Sequence, residues 1–229
     1  MDSEMKITYN VDLVMCIDCT GSMGKLIGMV KNNALAFYQD VTEKLAEKGK
    51  IITKLRTRVV AFRDYVADGD EAMLTTDFFV LPEQSADFES CVKHLVADGG
   101  GDAPEDGLEA LAYAIKSDWD RQGVKRRHII VVWTDAPTHE IGYAADKSPS
   151  YPNGMPKSFD ELTSWWGDVQ NKGYIGSKEK RLVLFAPDAP GWSQISEVWD
   201  NVLHFPSKAG QGLQEVTYEA ILNAIGNSI

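Results

Sequence analysis

Basic residues are scarce in this chain. Its 229 residues carry 23 lysines and arginines against 34 aspartates and glutamates, for a formal net charge of −11. Phosphate contacts need a basic footprint, so this balance argues against a generic nucleic-acid binder. Cysteine is scarcer still, and Cys16, Cys19 and Cys91 make neither a disulfide framework nor a metal knuckle. No apolar run approaches the roughly 18 residues of a membrane span. The first ten residues, MDSEMKITYN, lack the basic and apolar regions of a secretory signal. Together these absences point to a reduced, cytoplasmic protein without membrane contact. No internal repeat, low-complexity tract or linker divides the chain, so one domain over 1–229 is expected.

Hydrophobic residues make up 44% of the chain, ample for a core. Strand and helix signals alternate, which predicts an α/β fold with a mostly parallel sheet covered on both faces. Val11–Ile17, Arg56–Phe62, Arg127–Thr134, Leu182–Ala186 and Val202–Phe205 read as strands. Thr76–Leu81 reads as an antiparallel edge strand, making six. Helices are expected over Lys25–Lys48, Ser85–Val96, Pro104–Ser117, Trp192–Asp200 and Leu213–Ile225. The stretch 137–180 is too long for an ordinary connection. It reads as an excursion holding one helix, Phe159–Asn171, with Ser158 as N-cap and Glu161 three residues on. Trp165 and Trp166 in that helix are read as packing residues, with a partner contact at the rim as the alternative for one of them.

Asp18-Cys19-Thr20-Gly21-Ser22 follows the first strand directly. Alternate residues of an extended segment point the same way, so Asp18, Thr20 and Ser22 can converge on one point. Three hard oxygens suit a small divalent cation. Asp64 and Asp135 also stand at predicted strand C-termini, on the rim where open α/β sheets bind ligands.

This pattern resembles the von Willebrand factor type A, or integrin I-like, domain and its metal-ion-dependent adhesion site, D-x-[ST]-x-S. Asp18, Thr20 and Ser22 match that signature, and Asp135 in VVWTDAPTH matches the aspartate of the last metal loop. The resemblance implies a Rossmann-like fold and a bound Mg²⁺, or Mn²⁺ or Ca²⁺, with an open position that an acidic residue of a partner completes. Many members place a threonine on the middle loop, where this chain reads Gly99-Gly100-Gly101-Asp102-Ala103-Pro104-Glu105. That loop is similar to integrin β-subunit I-like domains, which makes Glu105 the implied ligand. By the same resemblance Asp102, Pro104 and Asp64 would build a second, neighbouring calcium site, although Gly100 replaces an asparagine that helps there. The bland readings are a helix cap for Asp102, a helix-dipole contact for Glu105 in the first turn, and an ion pair of Asp64 with Arg63 or a lysine. The TGSM, AFRDY and TDAPTH segments look most like intracellular members, including those attached to α-kinases and those encoded beside tellurite-resistance systems.

The expected function is therefore a divalent-metal-dependent protein-binding module, a scaffold in an intracellular signalling or stress complex. A metal-dependent hydrolase or phosphatase with Asp18 as nucleophile is the catalytic alternative. It lacks its general acid, because Thr20 stands where a second acidic residue is needed. A phosphate-binding loop fails too, since Gly24-Lys25 is followed by Leu26. The protein is expected not to be an enzyme. A third reading is an interaction domain that works without metal through the 137–180 excursion.

Overall fold

The computed structural model describes residues 7–101 and 103–229. The first strand, β1 (Ile7–Asp18), alternates its side chains between two cores. Val11, Leu13, Met15 and Ile17 enter one, whereas Val14 and Cys16 enter the other. A strand buried on both faces must be apolar on both, and this is why the segment reads as a continuous hydrophobic run. Helices α1 (Gly24–Asn33) and α2 (Phe37–Ala46) cover the first face and lead to β2 (Lys50–Phe62), parallel to β1.

A short helix, α3 (Tyr65–Asp68), then precedes two short strands, β3 (Met73–Thr75) and β4 (Phe79–Leu81). Both run antiparallel to β2. The remaining elements are α4 (Ser85–His94), α5 (Gly107–Ile115), β5 (Arg126–Trp133), α6 (Phe159–Trp166), β6 (Lys180–Pro187), α7 (Trp192–Val198), β7 (Val202–Ser207) and α8 (Tyr218–Ser228). The described residues form a seven-stranded sheet in the order β3-β2-β1-β5-β6-β7, with β4 also on β2. Residues of α4 and α8 join the core of α1 and α2, and those of α5, α6 and α7 line the other. No helix of the described residues is long and apolar enough to cross a membrane.

Several expectations are corrected. Helix 25–48 is two helices, because Asn33 turns its side-chain amide back onto the carbonyl of Met29 at 2.8 Å and the backbone breaks over 34–36. The expected edge strand Thr76–Leu81 is only Phe79–Leu81, and an unforeseen antiparallel strand, Met73–Thr75, precedes it, giving seven strands instead of six. Val60 pairs with Thr75 and Thr57 with Phe79, so four steps of the edge oppose three of β2. The extra residue is a bulge, and the Thr76 hydroxyl accepts from the Val59 N–H at 3.0 Å where a ladder bond would lie. Helix α8 starts at Tyr218, not Leu213: Gly210, Gly212 and Leu213 hold positive φ, and Thr217 caps the helix by accepting from Ala220 N–H.

The excursion packs on α5 through α6, whose start matches expectation. Ser158 Oγ accepts from Glu161 N–H, and the Glu161 carboxylate accepts from Lys157 N–H. The helix ends at Trp166, earlier than expected, because Gly167 takes φ 72°. Trp165 and Trp166 are both buried, which favours packing over a rim contact. Beneath them lies Lys180, with no exposed surface. Its ammonium donates to the carbonyls of Trp166 and Gly167 at 3.2 and 2.6 Å and pairs with Asp200 at 2.6 Å. It also sits 4.6 Å from the centre of the Trp166 ring. One buried cation thus closes the end of α6 onto β6. Replacing it by an isosteric Lys180→Met strands those carbonyls, and a loss of about 3 kcal/mol in stability, read by urea unfolding, is expected.

Candidate functional site

The chain passes from β1 to β2 on one side and later returns to place β5 on the other side of β1. The sheet therefore has its topological switch point at the C-terminal ends of β1 and β5, where a crevice opens between diverging loops. Asp18 ends β1, and Thr134-Asp135 follow β5 directly.

Asp18 is wholly buried, and donors from two loops hold it. Its Oδ1 accepts from the Thr20 N–H at 2.9 Å and the Thr20 hydroxyl at 2.6 Å; its Oδ2 accepts from the Thr134 hydroxyl at 2.7 Å. Burial nevertheless pushes its carboxyl up to about 6, against the lowering effect of those donors and with a further push from Asp135. The turn after Thr20 is a single 3-10 turn, Gly21–Met23, which turns the exposed Ser22 back toward the rim. Ser22 Oγ donates to Asp135 Oδ1 at 2.8 Å. The other oxygen of Asp135 accepts from the Gly212 N–H at 2.6 Å, so the loop before α8 closes over the site. A Cβ on Gly212 would lie 2.1 Å from the Ser22 carbonyl oxygen, which fixes glycine there.

Glu105 arrives from the middle loop. It lies two residues before α5, not in its first turn, so the helix-dipole reading is corrected. Backbone bonds stitch it to the loop after β5: Glu105 N–H donates to the Pro137 carbonyl and His139 N–H to the Glu105 carbonyl. Gly100, at φ 70°, crosses above it, and a Cβ there would lie 2.4 Å from Thr20 Cγ2 and 2.7 Å from Glu105 Oε1. Thr20 and Glu105 are thereby neighbours beneath one glycine. Glu105 is 4% exposed, and among the described residues its Oε2 has no hydrogen-bond partner. Burial, reinforced by Asp18, Asp64, Asp68 and Asp106, pushes its carboxyl up to about 9.

The fold thus gathers Asp18, Thr20, Ser22, Glu105 and Asp135 at one end of the sheet. Among the described residues, no three His, Cys, Asp or Glu side chains stand together as a ready metal-binding group. The oxygens of Asp18 and Asp135 are turned onto hydroxyls and amides of the rim loops instead. The donor set does fit a hard divalent cation: it is all oxygen, it carries excess negative charge, and one of its buried carboxylate oxygens is orphaned.

Asp64 is buried nearby but does not pair with Arg63. It caps α3, accepting from Val66 N–H at 2.5 Å, and its Oδ2 stands 3.4 Å from His139 Nε2. Arg63 instead spends its donors on the carbonyls of Cys19, Glu71 and Val96. Asp102, with its readings as a cap or a ligand, lies outside the described residues; the N-cap position of α5 is Asp106.

Sequence reasoning missed Thr134, Asp106 and Glu109. The last two have no exposed surface and lie behind the rim, each with one unpartnered oxygen. Asp106 accepts from the Tyr65 N–H, and Glu109 from the Gly142 N–H and the Tyr151 hydroxyl. Burial pushes Asp106 up to about 7, with Glu109 adding to it, and raises Glu109 as well. A signal was present in GLEALAYAI: a helix apolar on every side is buried on every side, so its one carboxylate is buried too.

Comparison with known proteins agrees with this architecture. The sequence profile described as "von Willebrand factor A domain" matches residues 12–145, more than half of the chain. The chain is 27% identical, over 240 aligned positions, to alpha-protein kinase vwkA of Dictyostelium discoideum, covering 99% of this chain and 36% of that protein. It is also 27% identical over 157 positions to the putative ariadne-like RING finger protein R811 of Acanthamoeba polyphaga mimivirus, covering 68% of this chain and 14% of that one. The chain therefore spans only about a third or less of the curated relatives it matches. Among solved structures, the pilus adhesin SpaC of Lactobacillus rhamnosus GG superposes with a TM-score of 0.51 at 12% identity. That match covers 95% of this chain and 30% of SpaC, a likeness of fold alone. With profile, sheet order and rim in agreement, the chain belongs to the von Willebrand factor A domain family.

Proposed function

We propose that the protein is a divalent-metal-dependent protein-binding module whose rim site captures an acidic residue of a partner. Domains of this family are typically protein-interaction modules. The observation that carries the metal reading is the buried Glu105 Oε2, unpartnered among the described residues, with Thr20 and Asp18 as neighbours. A carboxylate left so, among other carboxylates, is destabilising unless a cation or proton joins it. In this reading Asp18, Thr20, Ser22, Asp135 and Glu105 hold Mg²⁺, with Mn²⁺ or Ca²⁺ as other occupants. A bound ion supplies positive potential in an otherwise acidic rim, and so attraction for a carboxylate.

The chain's own residues do the rest. Thr134 and Thr20 fix the orientation of Asp18, and Gly212 and Ser22 fix that of Asp135. Gly100 keeps a side chain from filling the space above Thr20 and Glu105. Three carboxylates more than offset the charge of one divalent ion, so partner capture is expected to be weaker than at a rim with a threonine in place of Glu105. The reading assigns no catalytic step to these residues. In this reading the module is a scaffold in an intracellular signalling or stress complex, and the similarity to an alpha-protein kinase supports the signalling setting.

Isothermal titration of chelator-treated protein with Mg²⁺, Mn²⁺ and Ca²⁺ tests this reading directly. Saturable binding of about one ion per chain is expected, and its loss in Asp18→Ala. A folded wild type that takes up none of the three ions overturns the metal role. It would move attention to the excursion, where a cleft of about 400 Å³ between Leu108, Ile141 and Phe159 offers a metal-free contact surface.

The raised carboxyls make a second test. In the metal-free protein Glu105 titrates near 9 when folded and in the ordinary carboxylate range when unfolded. Between those values the folded state binds more protons, so its stability falls as pH rises from 6.5 to 9. Below about 6.5 the buried His128, whose imidazole is held below its usual range mainly by burial, opposes this trend. Glu105→Gln is expected to flatten the decline and to raise metal-free stability at pH 9 by about 1 kcal/mol, while weakening metal binding. Thermal melts in chelator across pH, repeated with Mg²⁺, read both effects.

A further inference from the structure

Beside the rim site lies a second cleft, of about 520 Å³, that the proposed metal chemistry does not use. Arg63 builds it. Its guanidinium donates to Cys19 O at 3.2 Å, Glu71 O at 3.0 Å and Val96 O at 2.9 Å. These carbonyls belong to the turn after β1, the turn after α3 and the loop after α4, so one side chain ties three walls together. The cleft is thereby preorganised, and its arginine commits three of its five N–H donors to the walls. Buried Phe62 and Leu95 form its floor. Leu74 and Val96 line it with 47% and 55% of their surface exposed.

Three carboxylates also line the cleft: Asp68, Glu71 and Asp98. Among the described residues none of them is in an ion pair. Asp68 accepts from the Asp64 and Gly100 N–H groups and Asp98 from the Gly99 N–H. His94, the other basic residue of the lining, turns Nδ1 onto the carbonyl of Ser90. Charge in the cleft is thus net negative, and apolar surface stands exposed beside it. An arginine or lysine, with an aliphatic stem and a cationic head, matches both features at once. An anionic side chain would meet the three carboxylates instead.

The cleft also shares a wall with the rim. Cys19, which lines it, stands between Asp18 and Thr20, and Asp68 holds the N–H of Gly100, the glycine that packs on Thr20 and Glu105. We propose that this cleft receives a basic side chain of the same protein partner whose acidic residue the rim captures, so that the molecule reads an acidic and a basic residue close together. The pairing of the two sites rests on the metal-dependent reading above; the basic pocket stands on its own lining.

Capped peptides Asp-(Gly)n-Arg, with one to three glycines, compared with the same peptides carrying norleucine for arginine, test this in Mg²⁺ by amide chemical-shift titration. At the best spacing the arginine peptide is expected to bind about fivefold tighter, the weight of two exposed ion pairs, and to lose that margin at high salt. Its shifts should centre on the amides of Glu71, Leu74, Val96 and Asp98. The double variant Glu71→Gln/Asp98→Asn should remove the arginine preference while Mg²⁺ affinity stays unchanged. Equal binding of the two peptides, shifts centred elsewhere, or a preference that survives the double variant overturns the pocket. Capped Gly-Arg-Gly titrated into Asp18→Ala separates the two claims. Cleft shifts there, with no Mg²⁺ binding by the wild type, would sink the metal reading and keep the pocket.

Discussion

Carboxylates buried side by side at the end of a sheet repel one another, and most of the rim's architecture answers that repulsion. Such groups persist only where a cation, a proton or well-placed donors offset the lost hydration. Asp18 is met by the hydroxyls of Thr20 and Thr134, and Asp135 by Ser22 and the Gly212 amide. These donors come from three loops, so satisfying two aspartates draws the segments after β1, β5 and β7 into one surface. The Oε2 of Glu105 is left unanswered among the described residues. That oxygen belongs to the middle loop, where Gly100 crosses above Glu105 and Thr20.

Behind that front sits a second layer, Asp106 and Glu109, held by Tyr65, Tyr151 and Gly142. It links the α5 helix to α3 and to the excursion. The excursion is in turn fixed to the sheet by Lys180. What looks in sequence like a long irregular insertion is a wall whose position depends on buried charge at both of its ends.

The parts of this structure legible in the sequence are those that depend on local pattern and burial. β1, β5 and β6 are apolar on both faces and announce themselves, and the Ser158–Glu161 cap gives the start of α6. The D-x-T-x-S motif is legible at the end of an apolar strand, although only Asp18 lies in that strand and a 3-10 turn brings Ser22 to the rim. What escaped depends on single side-chain and backbone details or on partners distant in the chain. The break after Asn33, the bulge at Thr76 and the late start of α8 are settled by one side chain or by glycines with positive φ. Glu105 takes its place from a bridge to Thr138, more than thirty residues on, which no helical period could reveal. Thr134 looked like the last residue of a strand, and only the meeting of β1 with β5 makes it a support for Asp18.

The bulge at Thr76 bears on how the molecule meets others. An open strand edge is a template on which further strands add. On one side of this sheet the outer strand is cut into two three-residue pieces, too short and too kinked to be copied. On the other side the bond from Leu182 N–H to Asn201 O sets odd-numbered residues of β7 toward β6, leaving His204 and Pro206 facing outward. Pro206 has no N–H to give. Sheet growth is thus discouraged at both margins, a useful property for a module that can sit inside much longer chains without joining its copies into fibres.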